Sequence, residues 1–197
     1  MSGKYKSEGD DYYVSDYPPE YVKGIGEKGM VNLMKFLDNG GLIVSWGAST
    51  ELFTGTLKIK RSETDTEEFQ LPYSNVAKGL EGLYVPGSFV AMDIKQGHPL
   101  AYGMPAQSGV FYRGNPVFET TLPSFDMDRR VIASFPEKDI ILSGYAEKPE
   151  MLKEKPCMIW LKKGKGQLVL FAFNPQFRAS TAADYKLLFN SLLLSPQ

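Results

Sequence analysis

Gln167-Leu168-Val169-Leu170-Phe171-Ala172-Phe173 runs directly into Asn174-Pro175-Gln176-Phe177-Arg178. An apolar run this short, closed by a proline turn, reads as a strand buried on both faces, the pattern of an α/β sheet. In open α/β sheets the working side chains stand outside the carboxyl ends of such strands. Asn174, Gln176 and Arg178 therefore mark a candidate site. Two amides and a guanidinium can bind through hydrogen bonds and charge, but they supply neither a nucleophile nor a base near neutral pH.

Just upstream, Lys162-Lys163-Gly164-Lys165-Gly166 is a basic, glycine-containing turn that joins the apolar segment 156–161 to this strand, which predicts a hairpin. It lacks the Gly-x-x-x-x-Gly-Lys-Ser/Thr order of a phosphate loop, so a solvated hairpin is favoured over anion binding. Downstream, Ser180 or Thr181 reads as the cap of a helix with Tyr185, Leu188, Phe189 and Leu192 on one face and Leu187 and Leu193 beside it.

A second unit lies near the start of the chain. Met30, Leu33, Met34 and Leu37 recur at helical spacing, and Gly40-Gly41 predicts the end of that helix near Asn39. Leu42-Ile43-Val44-Ser45-Trp46 follows, apolar on both faces as a central strand covered by helices would be. Ile43 and Val44 are expected on a strand parallel to, and adjacent or nearly adjacent to, that of Val169 and Leu170. The exit Gly47-Ala48-Ser49-Thr50 offers a hydroxyl where a strand-turn-helix elbow could expose a nucleophile, so Ser49 joins the candidate site. Capping by Ser49 or Thr50 is the commoner use of such hydroxyls. No base accompanies them, because His98, the single imidazole, lies in the turn Gln96-Gly97-His98-Pro99. Gly24-Ile25-Gly26-Glu27-Lys28-Gly29 matches a dinucleotide-binding glycine string but follows no buried strand, and carries little weight.

Residues 55–136 change texture to short β-like pieces, 56–59, 88–94 and 131–135, separated by glycine and proline turns. A β-rich insertion is expected there, and residues 1–16 read as a loose arm. At 197 residues, one domain spanning 1–197 buries roughly 70% of the surface its unfolded chain exposes. With 22 Lys and Arg against 23 Asp and Glu, the net field gives no reason to expect nucleic acid. Cys157 sits beside Met158-Ile159-Trp160-Leu161 and reads as an inert core thiol. One Cys, one His and scattered carboxylates make no zinc spacing, so no metal and no cofactor are expected. No apolar run reaches the roughly 20 residues of a membrane span. The cellular compartment stays open, and a piece of a longer, periplasmic or secreted polypeptide is compatible with the sequence.

GKGQLVLFAFNPQFRASTAADYKLLFNSLL, residues 164–193, resembles the end of the class I glutamine-amidotransferase-like domain that follows the catalytic domain in bacterial zinc carboxypeptidases of the carboxypeptidase A type. Similar pieces occur in the same order: YPPEYVKGIGEKGMVNLMKFLDNGGLIVSWGAST (17–50), LPYSNVAK (71–78), VPGSFV (85–90), HPLAYGMP (98–105) and VFYRGNPVFE (110–119). The resemblance implies a three-layer, flavodoxin-like α/β sheet, N-terminally incomplete because the early α/β units are not matched. In the true amidotransferases a His-Pro-Glu triplet on the last strand serves a cysteine on an elbow. Here the triplet is Asn174-Pro175-Gln176 and the elbow Gly47-Ala48-Ser49-Thr50 holds no cysteine.

The resemblance thus implies a non-catalytic accessory or interaction domain linked to a peptidase domain, with no catalytic residues and with Ser49, Asn174, Gln176 and Arg178 as a vestigial pocket. A small-ligand or carbohydrate-binding module and a hydrolase using Ser49 are the alternatives. An incomplete sheet would leave 42–46 without a neighbour, which favours a homodimer. The segment Tyr12-Tyr13-Val14, folded back on the same edge, would compete with it.

Overall fold

The computed structural model describes residues 24–60, 66–123 and 127–194. The arm 1–16, with Tyr12–Val14, lies outside the described residues. The helix α1 (Gly26–Asp38) buries Met34 and Leu37, and Gly40, at φ 94°, takes the left-handed turn that closes it. β1 (Leu42–Trp46) follows directly. At the other end of the chain β10 (Pro156–Lys163) and β11 (Gly166–Phe171) form the expected hairpin. β1 runs parallel to β11, with Val44 opposite Val169 and Ser45 opposite Leu170, so the predicted parallel pairing holds.

β11 is buried at every position and is paired on both sides. β1 is not central. Among the described residues it ends the sheet, and only Ser45 of its five residues is buried. Its continuous apolar run reflects contact with α1 and with the C-terminal helix α2 (Tyr185–Leu192) rather than strands on both sides. Sequence alternation cannot separate a strand covered by helices at an edge from one in the middle.

The middle of the chain is β-rich, as its texture predicts, but much of it joins the same sheet. β2 (Thr56–Lys60) with β3 (Thr66–Gln70), and β4 (Tyr73–Asn75) with β7 (Phe118–Thr120), form two small ribbons. β5 (Ser88–Ile94), β6 (Gln107–Tyr112), β8 (Met127–Ser134) and β9 (Ile141–Ser143) extend the main sheet in the order β1-β11-β10-β8-β5-β6, with β9 on β5. The result is a mixed α/β fold with a mostly open sheet and few helices. β5 pairs with β8 only at Asp93 and Ile94. Beyond those two residues the β5–β6–β9 part peels away and folds over the rest of the sheet. Tyr112 at the end of β6, Phe118 of β7 and Phe135 just after β8 share one core with Phe171, Phe173 and Leu187.

The C-terminal helix differs from its expected face and cap. Leu187 and Ser191 are buried, while Phe189, Leu192 and Leu193 are 57%, 60% and 78% exposed. No side chain caps it: Asp184 stands at the cap position after a 3-10 turn, Ala182–Asp184, and Thr181 makes no capping bond. The helix turns Leu187 and Ser191 to the core, so the face read from the spacing of Tyr185, Leu188, Phe189 and Leu192 is not the buried one. Lys186 donates to Gly103 O and Asn190 to Leu100 O and Tyr102 O, pinning α2 on the turn Pro99–Ala101.

Asp184 is fully buried, and among the described residues neither of its carboxylate oxygens has a hydrogen-bond partner. Burial pushes its carboxyl up to about 6, and the neighbouring Thr181 hydroxyl, itself without a well-formed bond, pulls it only partly back. Cys157 lies close enough for this carboxylate to help push its thiol up, though burial is the main cause. The cysteine is a core residue, as its apolar neighbours predict.

Two stability predictions follow from this packing. Leu170→Ala, which empties a site 1% exposed in the most buried strand, should lower unfolding free energy by about 2–5 kcal/mol in urea titrations. For Asp184, the native carboxyl holds its proton more tightly than the unfolded one, whose pKa is about 3.9. Its stability contribution is therefore complete below about pH 4 and is lost as pH rises through about 6. Asp184→Asn should raise stability by about 1–3 kcal/mol at pH 8 and change it little at pH 4, read from urea midpoints at the two pH values.

Candidate functional site

Two strand exits meet where the sheet folds over itself. One is Gly47-Ala48, after β1, facing Asn174, three residues past the end of β11. The other is the Phe111–Asn115 stretch at the end of β6. Together they enclose a cavity of about 120 Å³ whose walls include Gly47, Ala48, Asn174, Phe111, Arg113 and Asn115. β6 lies at the far end of the sheet path from β1, so only the folding-over of the β5–β6 part brings these residues together.

Each wall is held by interactions that can be traced to sequence. Gly47 has φ +55°, and a Cβ there would stand 3.0 Å from Asn174 Oδ1, so glycine permits both the backbone turn and the close approach of the amide. Phe111 stacks on Phe177 with ring centroids 4.3 Å apart and planes within 5° of parallel, which clamps the β6 exit to the turn after β11. The buried Tyr112 hydroxyl donates to Pro116 O at 2.9 Å. Asn75 is the hub beneath: its Oδ1 accepts from Ala77 N and Val117 N, and its Nδ2 donates to Asn115 Oδ1 at 3.0 Å and to Glu51 Oε1 at 3.2 Å. All four bonding positions of the Asn75 amide are thereby used. Arg113 and Asn115 ride on a loop fixed from both sides.

The functional valences differ from these structural ones. The side chains of Arg113 and Asn174 have no hydrogen-bond or ion-pair partner among the described residues. Asn115 has its oxygen engaged by Asn75 and retains its NH2 group. The cavity therefore presents donors from Arg113 and Asn115, an uncommitted amide at Asn174, and apolar surface of Phe111.

Of the four residues read as a site from sequence, Asn174 alone lines this cavity. Ser49 is half-buried above the end of β1, where its hydroxyl donates to Trp46 O at 2.7 Å and shares a 2.8 Å hydrogen bond with Ser45. Thr50 donates to Gly47 O at 2.7 Å. These hydroxyls satisfy carbonyls of the preceding turn inside a 3-10 helix, Gly47–Phe53, and neither acts as an N-cap. Gln176 is exposed. Arg178 is exposed too, in a left-handed conformation at φ 45°, with its guanidinium 5.5 Å from the centroid of the Phe177 ring. Pro175 turns the chain after Asn174, so the next residues leave the sheet edge.

His98 lies elsewhere. Its Nδ1 accepts from Leu100 N, and its ring sits 5.2 Å from that of Trp160. Trp160 is in register with Val169, which pairs with Val44. The imidazole is therefore beside the middle of β10, two strands or roughly 10 Å across the sheet from β1. Burial, and then the Arg130 charge, lower its pKa, with Asp128 opposing.

Arg113 and Asn115 were missed although their signal matches the one at Asn174. Val110-Phe111-Tyr112 is an apolar strand end, and Arg113-Gly114-Asn115-Pro116 is a polar turn closed by proline. A larger depression of about 380 Å³ near Asp93, Glu137 and Glu154 has two of its acids already occupied, Asp93 by Gln107 and Glu137 by Lys153. Among the described residues no three His, Cys, Asp or Glu side chains gather as a metal site, and no helix is long and apolar enough to cross a membrane.

No family model matches the chain, and no curated protein does. Solved structures do. A β-galactosidase from Bacillus circulans sp. alkalophilus is 15% identical, the match covering 85% of this chain and 21% of that one, with a TM-score of 0.48. A cytoplasmic protein from Salmonella typhimurium is 11% identical over 83% of this chain and 58% of that one, TM-score 0.44. A ThuA-like protein from Bacteroides uniformis is 10% identical over 83% and 62%, TM-score 0.44. This chain thus spans about a fifth of the β-galactosidase and about three fifths of the other two.

The resemblance to the carboxypeptidase-associated domain is corrected by these comparisons. None of these matches is described as a carboxypeptidase or a carboxypeptidase-associated domain, so the expected link to a carboxypeptidase is dropped.

Proposed function

We propose that this chain is a non-catalytic binding and interaction domain. The observation that carries the reading is the state of Ser49: its proton goes to a backbone carbonyl, and its neighbour within hydrogen-bond reach is another serine. A hydroxyl nucleophile needs a base in that place. The one imidazole packs on Trp160 instead, and the cavity offers amides and a guanidinium. A small-ligand role is favoured over a purely structural one by the uncommitted side chains of Arg113 and Asn174. The purified chain should release neither ammonia from glutamine nor p-nitrophenol from p-nitrophenyl acetate above the buffer rate, and Ser49→Ala should behave identically. Turnover that co-purifies with the chain and disappears in Ser49→Ala would overturn the reading.

Self-association is the interaction this reading includes. The outer edge of β1 has no strand beside it among the described residues. Both helices contact β1, and Phe36, Phe189 and Leu192 on them are each more than half exposed. Unpaired backbone flanked by apolar side chains is a template for another strand, and an edge meeting its own copy about a two-fold axis closes the assembly at two. Light scattering across a concentration series should give a dimer mass, and Phe189→Glu with Leu192→Glu should shift it to the monomer. A monomer mass throughout for the unsubstituted chain counts against the dimer.

A further inference from the structure

We propose that the cavity between the β11 and β6 exits binds a short monocarboxylate, with Arg113 as its charge partner and Asn115 and Asn174 as flanking hydrogen-bond groups. This rests on the non-catalytic reading of the same site and names its ligand class.

Charge comes first. Arg113 is exposed at the rim and has no acidic partner among the described residues. The carboxylate tied into the supporting network, Glu51, accepts from Asn75 rather than from the arginine. A guanidinium with its planar fork unspent matches the two oxygens of a carboxylate. The amides then set the polarity of what enters. Asn115 Oδ1 already accepts from Asn75, which leaves its NH2 group wholly available to donate to a ligand. Asn174, across the cavity and held against Gly47, is free to donate through Nδ2. The site therefore prefers an acceptor-rich head.

Size and lining choose the rest of the molecule. A cavity of about 120 Å³ is somewhat smaller than the roughly 150 Å³ that holds benzene, so it suits about four to six heavy atoms. Its remaining walls are the Phe111 ring, Ala172 and Phe173. These give an alkyl stub a place to leave water, which a bare tetrahedral oxyanion would not use. A head of two oxygens with a short apolar tail fits both halves. For so few atoms the dissociation constant should be on the order of 1–10 mM.

The test is a titration of the isotopically labelled chain with sodium propionate, followed by amide chemical shifts, with propionamide and inorganic phosphate as parallel arms at matched ionic strength. Saturable shifts at Gly47, Ala48, Arg113 and Asn174 with propionate, absent with propionamide, are expected. Arg113→Gln, a change at an exposed position, should weaken propionate by about tenfold or more through loss of the charge-assisted pair. Arg178→Gln, outside the cavity, should leave binding within about twofold of the parent.

No saturation by about 100 mM, beyond the range expected for so small a ligand, overturns the proposal. So does equal binding of propionamide, tighter binding of phosphate, or shifts that cluster away from the cavity. Ester or glutamine turnover that depends on Ser49 would overturn the non-catalytic reading instead, and the propionate titration would still be readable.

Discussion

Burial of β11 is the constraint on which the rest of this structure depends. All six of its residues are buried, and a strand whose amides and carbonyls leave water must find partners for them along both edges. β1 supplies one ladder and β10 the other. The one polar side chain in the strand, Gln167, is matched as well: Trp160 Nε1 donates to its Oε1 at 2.9 Å from the neighbouring strand. The faces of the strand then need apolar cover, to which α1 contributes, and β11 lies in one apolar core with residues of β5 and β6. Each of these elements is placed by what β11 requires.

The cavity is a consequence of the same packing. Where β5 leaves β8 after two paired residues, the sheet can turn back toward its own first strands. The Phe111–Phe177 stack closes that turn, and the polar residues just past the strand ends cannot enter the core with the aromatic rings. They remain as a rim. Asn75 shows how such a rim is kept in shape: one amide, saturated on all sides, fixes the loop that carries Arg113 and Asn115. Structural hydrogen bonds are spent on the hub, and the uncommitted ones face the space.

The chain tolerates one buried group that works against its fold. Asp184 is buried at the start of the C-terminal helix without a hydrogen-bond partner among the described residues, an arrangement that disfavours its ionised form. α2 stays in place because Lys186 and Asn190 hold it to the turn at residues 99–103 from outside. A local cost at one end of the helix is offset by bonds along its length.

The sequence by itself determined the elements whose signals are local: the helix ended by Gly40, the hairpin around Gly164, the strand character of 42–46 and 167–171, and the core nature of Cys157. It also pointed to the turn after β11, where Asn174 does line the cavity. It could not determine which side of β1 is covered, which face of the C-terminal helix meets the core, or that the exit of β6 returns to the exit of β11. Those depend on contacts between residues far apart in the chain. Ser49, Gln176 and Arg178 have the right chemistry for a site, yet a back-bonded serine and the turn after Pro175 direct them elsewhere. Arg113 and Asn115, with the same signal in the sequence, reach the cavity because the sheet folds over. Residue type and turn pattern are fixed locally, whereas convergence on one cavity is fixed by how a buried strand recruits its cover.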